Sequence, residues 1–284
     1  MRVGIVILPE HRWADARARW RRAEEYGFAH AWTYDHLAWR DLADGPWFDS
    51  IVTLTAAAQA TTTIRLGTLV ASPNFRHPVH FAREITALDD VSGGRLTLGL
   101  GAGAAAPSFD ALVLGWPELS PSQRVDRFAE FVELLDLLLR EQRVTWSGAY
   151  YEANDARTIP GCVQTPRVPF VVAANGPRSM GLAERFGEGW ITTGGKADDL
   201  DSWWRSVADR AERFEGPGDR YLMLDSAPRF SLSSRDFFEE QVGRAAELGF
   251  TDVITHWPRP SSWYEGDEAV LEEVAAEVLP GLAR

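Results

Sequence analysis

The chain has 284 residues, a formal net charge of −12 at neutral pH and one cysteine, Cys162. That length buries the core of one or two domains, and a closed α/β barrel of this size commonly runs as one. The acidic balance argues against nucleic-acid binding, which needs clustered Lys and Arg, and a lone cysteine excludes an internal disulfide and fits a reducing compartment.

No apolar window nears the ~18 residues of a membrane span. "MRVGIVILPEHRW" reads as a first strand and not as a secretion signal, so the expected location is the cytoplasm. Lys196 is the single lysine against 28 arginines, which base composition explains.

In chain order, the β-branched run "RVGIVIL" (2–8) predicts a strand, and "ADARARWRRAEEYG" a helix stopped at Gly27. "AHAWTY" (29–34) is the second strand. Asp49 stands where it can N-cap "SIVTLTAAAQAT", and "IRLGTLVA" (64–71) is the third strand. "HFAREITALDDVS" is helical as far as Gly93-Gly94, and "RLTLGLG" (95–101) follows as the fourth strand. A helix over about 121–141 carries Leu134, Leu135, Leu138 and Leu139 on one stripe. "VTWSGAYYE" predicts a small hairpin turning at Ser147-Gly148. Three more strands, "PFVVAAN", "GWITTG" and "YLMLDSA", alternate with helices over "SMGLAERFG", 198–214 and 235–248; "DVITHW" and a closing helix from about 267 complete the series. The segments 35–48, 102–120 and 152–168 are expected to be irregular loops.

Strand–helix alternation implies a parallel sheet with right-handed crossovers, and eight units favour closure over a doubly wound sheet. The expected fold is therefore α/β, a single (β/α)8 barrel over 1–284 with small loop insertions. Chemistry on such a barrel sits on the loops after the strands. Those strand ends read "LPEH", "YDH", "ASPNFRH", "GAGAAAP", "ANGPRS", "TTGGK", "DSAPR" and "THWP".

Asp35 and His36 are adjacent, so one is expected to point into the mouth and the other sideways. An imidazole there can move a proton near neutral pH, although a loop histidine satisfied by backbone is the plain alternative. "ANGPRS" ends a strand and opens a helix, with Pro177 suited to the first helical position, and its free N–H groups make a phosphate seat. "GLGAGAAAP" spaces Gly99, Gly101 and Gly103 wrongly for a dinucleotide fingerprint and follows the fourth strand, so small residues here are expected to let a flat ligand approach. His77 and His80 lack an accompanying carboxylate pair, and no metal is expected.

The series "WTYDHL", "TIRLGTLVASPNFRHP", "SGGRLTLGLGAG", "SGAYY" and "VAANGPRS…AERFGEGWITTGGK" resembles the luciferase-like flavin and deazaflavin oxidoreductases, in order from residue 1 to about 200. The resemblance implies a TIM barrel that uses FMN with oxygen, or coenzyme F420 in hydride transfer. The form W-x-x-D-H resembles the F420 branch, notably glucose-6-phosphate dehydrogenases and methylene-tetrahydromethanopterin reductases; FMN remains the alternative.

By the same resemblance Asp35 hydrogen-bonds the deazaflavin and His36 is the acid/base. The Leu69–Val70 bond is a non-proline cis peptide behind the ring. Ser72, Ala102 and Gly103 contact the cofactor, and Asn175, Gly176, Arg178 and Ser179 hold its phosphate. Thr193 and Lys196 match substrate-phosphate positions. Ala104 stands where those dehydrogenases carry a catalytic glutamate, and Pro107 where they carry an asparagine. Glucose-6-phosphate oxidation is thereby put in doubt, and Trp39, Trp257 and His256 point to a small apolar or aromatic substrate. A flavin or F420 reductase as partner and a homodimer are further expectations. A non-catalytic barrel that binds flavin or nothing is the third reading.

Overall fold

The computed structural model describes residues 1–103 and 108–282. Among these, the strands in chain order are β1 (Arg2–Val6), β2 (His30–Thr33), β3 (Arg65–Ala71), β4 (Leu96–Leu100), β5 (Arg143–Ser147), β6 (Glu152–Arg157), β7 (Phe170–Ala173), β8 (Gly189–Thr192), β9 (Asp219–Met223) and β10 (Asp252–His256). All but β5 and β6 form one closed parallel barrel, ordered β1-β10-β9-β8-β7-β4-β3-β2. Closure is made where β1 pairs with both β10 and β2, with Val6 opposite His256 on one side and Trp32 on the other. The expected eight-unit barrel is the one observed.

The helices in chain order are α1 (Trp13–Glu25), α2 (Ser50–Ala60), α3 (Pro78–Ser92), α4 (Phe109–Leu114), α5 (Pro121–Arg140), α6 (Pro177–Phe186), α7 (Leu200–Arg213), α8 (Arg235–Glu247), α9 (Glu268–Glu277) and α10 (Leu279–Leu282); the short α4 belongs to the loop after β4 and the longer helices surround the barrel. Local signals start and stop these helices. The Asp49 carboxylate accepts the Val52 N–H at 2.9 Å and caps α2. Gly93 ends α3 at a left-handed φ of 65°. The leucine stripe of α5 is buried against the barrel, as its spacing requires. No helix among the described residues is long and apolar enough to cross a membrane.

Two segments depart from the sequence reading. The stretch 102–120 contains α4, six residues capped by the Ser108 hydroxyl, too short to show a helical period. In the predicted hairpin the second arm is β6, whose sequence "EANDAR" is poor in strand formers and buries Ala153 alone.

The apolar core has two layers. One lies between strands and helices, and the other fills the barrel with Val6, Trp32, Leu69, Val171, Ile191, Tyr221 and Ile254. At the amino end of the strands His30 and Trp32 occupy the lumen because Gly4 and Gly67 leave room; a Cβ would stand 2.0 Å from the His30 ring and 2.3 Å from the Trp32 ring. Trp32 Nε1 donates to His30 Nδ1, which leaves His30 Nε2 to donate to the buried Asp252 at 3.0 Å. The polar groups of this floor are thus satisfied, and the opposite end of the barrel is free for a ligand.

Candidate active site

A cavity of about 310 Å³ opens at the carboxyl ends of the strands, within the roughly 300–1,000 Å³ of small-molecule sites. Its walls are apolar where the barrel core reaches the mouth, at Tyr34, Leu69, Val70, Ala173, Ile191 and Met223. His36 and Trp39 stand on one side, and Asn175, Ser179 and Thr193 on another. No Lys, Arg, Asp or Glu is among the described lining residues.

The floor is set by β3. Its pairing with β4 slips between Thr68 and Ala71, and the Leu69–Val70 peptide bond is cis, where the resemblance put it. The glycines of β4 make space for that bulge. A Cβ on Gly99 would stand 2.0 Å from the Thr68 carbonyl oxygen, and one on Gly101 would stand 2.6 Å from a Val70 methyl. The run "GLGAG" therefore first accommodates the protein's own neighbouring chain, although Gly101, Ala102 and Gly103 also line the cavity. Ser72 lies there too, almost wholly buried. Ala104 and Pro107, the departures noted in the sequence, lie outside the described residues.

His36 lines the cavity and Asp35 does not; both lie in the loop just past β2. His36 Nδ1 lies 2.9 Å from the Asp110 carboxylate, which also accepts the Leu37 N–H at 2.8 Å and an Asn74 amide N–H at 2.9 Å. Arg127 donates to the Asn74 carbonyl at 3.3 Å. Burial alone would raise the Asp110 pKa, but His36, Asn74 and the Leu37 amide outweigh it and hold the carboxylate ionised below its usual range. An ionised Asp110 favours the tautomer with the proton on Nδ1 and leaves Nε2 as the atom able to take a proton. Asp110 was not a sequence candidate; a serine cap followed two residues later by an acid was the one available signal.

Asp35, expected to hydrogen-bond the cofactor, is not among the cavity's lining residues. Its carboxylate is 1% exposed, and Arg76 and the Ser50 hydroxyl occupy its two oxygens. Arg178 is likewise turned away, pairing with Asp126 on α5 and with Ser122 on the exposed surface. Lys196 is exposed and does not line the cavity. His256 is buried behind Tyr34, which takes its Nε2 at 2.8 Å, while Asp225 takes its Nδ1 at 2.9 Å. Trp257 packs outside the barrel, stacked with Tyr26 and bonded to Glu268. His77 caps α3 through its ring nitrogen, and among the described residues no group of His, Cys, Asp and Glu could hold a metal ion.

Asn175, Ser179 and Thr193 do line the cavity. Asn175 bridges the loops after β7 and β8, donating to Thr193 at 2.9 Å and accepting from Thr192 at 2.6 Å. Gly176 caps α6, and Pro177 is its first residue. The N–H groups of Arg178 and Ser179 fall in the first turn, where a helix has no acceptor of its own. A flat ring on the Leu69–Val70 bulge with an anionic tail at this helix start fits both the apolar floor and the donor set.

A profile of the family described as luciferase-like monooxygenase matches residues 1–273. The chain belongs to that family. An F420-dependent glucose-6-phosphate dehydrogenase from Beutenbergia cavernae is 32% identical, over 92% of this chain and 90% of the relative. An F420-dependent hydroxymycolic acid dehydrogenase from Mycobacterium tuberculosis is also 32% identical, over 91% of this chain and 69% of the relative. Among solved structures, a monooxygenase from Streptomyces bottropensis superposes with a TM-score of 0.79 over 99% of both chains at 21% identity, a likeness of fold. The family's barrel thus carries the site described here, in a chain akin to named oxidoreductases.

Proposed function

We propose that this chain is an F420-dependent oxidoreductase that passes a hydride to or from a small, neutral and largely apolar substrate. The named relatives support the cofactor. The observation that carries the substrate class is the lining: aromatic and aliphatic side chains, small residues, and no formal positive charge among the described positions. A sugar phosphate would enter such a cavity without a cation to meet it, which is costly for a buried dianion. Lys196, the matching position for a phosphate, lies outside.

Bound F420 would supply a carbon that accepts or donates a hydride. The chain supplies the rest. The Leu69–Val70 bulge orients the ring, Ser179 and Asn175 hold the tail at the start of α6, and Trp39 excludes water from the substrate side. His36 Nε2 takes the proton from a substrate hydroxyl, or returns it in the reverse direction, while Asp110 steadies the imidazolium.

The alternative is an FMN monooxygenase served by a partner reductase, and the likeness of fold to a monooxygenase supports it. A non-catalytic barrel is the remaining alternative. Titration of the purified chain with F420 and FMN side by side separates the two cofactors, and the absence of any turnover with the bound one marks a barrel that binds flavin without catalysis. We expect saturable F420 binding with FMN at least tenfold weaker; tighter FMN binding would replace the proposal by the alternative, and binding of neither would favour the non-catalytic one.

We further read the chain as one cytoplasmic barrel domain that pairs with a second copy. Leu112, Val113 and Trp116, 62%, 59% and 50% exposed around α4, supply an apolar face. Sedimentation of wild type against Leu112→Glu tests that pairing.

A further inference from the structure

Behind the wall of the cavity lies a second buried histidine–carboxylate pair that the proposed function leaves unused. His256 is 1% exposed. Its Nδ1 meets Asp225 at 2.9 Å and its Nε2 meets the Tyr34 hydroxyl at 2.8 Å. Tyr34 also shares a hydrogen bond of 2.8 Å with Tyr264, whose ring stacks on His256 at 3.6 Å. Asp225 accepts further from the His256 N–H at 2.7 Å, the Ser231 N–H at 2.9 Å and the Thr255 hydroxyl at 3.1 Å.

The two ends of this chain border different spaces, although the Asp225 side chain, like that of His256, is only 1% exposed. Tyr34 lines the cavity of about 310 Å³. Asp225 and Tyr264 line a separate cleft of about 460 Å³ between the loops after β9 and β10, with Asp41, Trp263 and Glu265 around it. Arg40 and Arg259 act on Tyr264 from further out. Among the described residues Asp225 has no arginine or lysine partner; His256 is its one basic contact.

We propose that Tyr34, His256 and Asp225 form a proton path linking the substrate cavity to this second cleft. A proton given to the Tyr34 oxygen by an acid in the cavity, a substrate hydroxyl or the protonated His36, drives the tyrosine's own proton onto His256 Nε2. The neutral ring becomes an imidazolium beside a carboxylate, so the buried pair goes from one negative charge to none. The imidazolium then releases a proton from Nδ1 to Asp225, and local opening of the cleft wall that Asp225 belongs to lets it go to solvent. The Tyr34 and Tyr264 hydroxyls, either of which can donate to the other, turn to match the new tautomer.

The ring suits a transient carrier. Burial lowers the His256 pKa, with Asp225 opposing in part, so the resting ring is neutral. The path is a property of the bare protein, and its use during hydride transfer rests on the function proposed above. It would let a proton leave when a ligand fills the cavity mouth.

The protein contains its own control. His30 and Asp252 form an equally buried pair, 3.0 Å apart, that lines neither space. Solvent exchange of imidazole N–H protons is followed by NMR on the full chain labelled at histidine nitrogen, without cofactor. We expect the His256 Nδ1 proton to exchange about 100-fold faster than the His30 Nε2 proton. Asp225→Asn should slow His256 to within about threefold of His30. Equal slow exchange at both histidines in the wild type, or fast exchange that survives Asp225→Asn, would overturn the path. Because no cofactor is present, that failure is distinct from failure of the F420 titration.

Discussion

His36 Nδ1 lies 2.9 Å from the Asp110 carboxylate, joining the loop after β2 to the first turn of α4 across 74 positions of sequence. This contact makes His36 a directed base instead of a loose loop side chain. His36→Ala should leave F420 affinity within about tenfold and lower turnover by about 10²–10⁴-fold, the usual worth of a general acid or base. Asp110→Asn keeps the shape but gives Nδ1 an unsuitable partner, and we expect a fall in kcat of about 10–100-fold with cofactor affinity retained. Turnover unchanged in His36→Ala would remove the histidine from the mechanism.

The same carboxylate ties stability to acid. The Asp110 pKa is depressed in the folded protein, below the ~3.9 of an unfolded aspartate. Its contribution is therefore complete above about pH 4 and is lost as pH falls through the folded value. Urea midpoints between pH 5 and pH 2.5 should decline less steeply for Asp110→Asn than for wild type. Parallel declines would mean that other carboxylates, Asp252 among them, carry the acid sensitivity.

Much of this was legible in the chain. β-branched runs alternating with amphipathic stretches give the barrel, because each pattern has one way to bury its apolar face. Asn175 and Ser179 could be placed since a strand, a turn and Pro177 fix where a helix begins. Asp35, Arg178 and His256 could not. Their sequence neighbourhood sets the rim but not which rim residues consume one another: Arg76 takes Asp35, Asp126 takes Arg178, and Tyr34 with Asp225 takes His256. Such pairings come from distant segments, and so does Asp110.

Asp35 and Arg76 are a case where the structural role has a size. The two side chains are 1% and 7% exposed, and Arg76 reaches Glu84 at 2.7 Å as well. Arg76→Ala leaves a buried carboxylate with the Ser50 hydroxyl as its main donor, and we expect a loss of about 3–5 kcal/mol in chemical denaturation. Asp35→Ala in the same chain should recover part of that loss, since no uncompensated charge then remains. If the double variant is less stable than Arg76→Ala, the pair is not the source of the penalty.

Gly99 tests the fit between β3 and β4. An added Cβ would press on the Thr68 carbonyl at 2.0 Å, a backbone atom that cannot swing aside. Gly99→Ala should cost about 1–3 kcal/mol of stability and weaken F420 binding, because the floor at Leu69–Val70 is displaced. Wild-type stability together with wild-type affinity would show that the two strands yield without disturbing the cavity.

Gly176 separates helix capping from ligand binding. A Cβ there meets nothing within 4 Å, so an aspartate side chain has room. At the N-cap of α6 its carboxylate can accept a first-turn N–H, and Gly176→Asp should leave thermal stability unchanged or slightly raised, by a few tenths of a kcal/mol. The same charge would face an anionic cofactor tail, and at low salt we expect F420 affinity to fall roughly tenfold or more. Raising the salt should restore part of it by screening. A variant that is as stable as wild type and binds F420 equally well would move the phosphate seat away from α6, because the ligand would then be indifferent to a negative charge at that helix start.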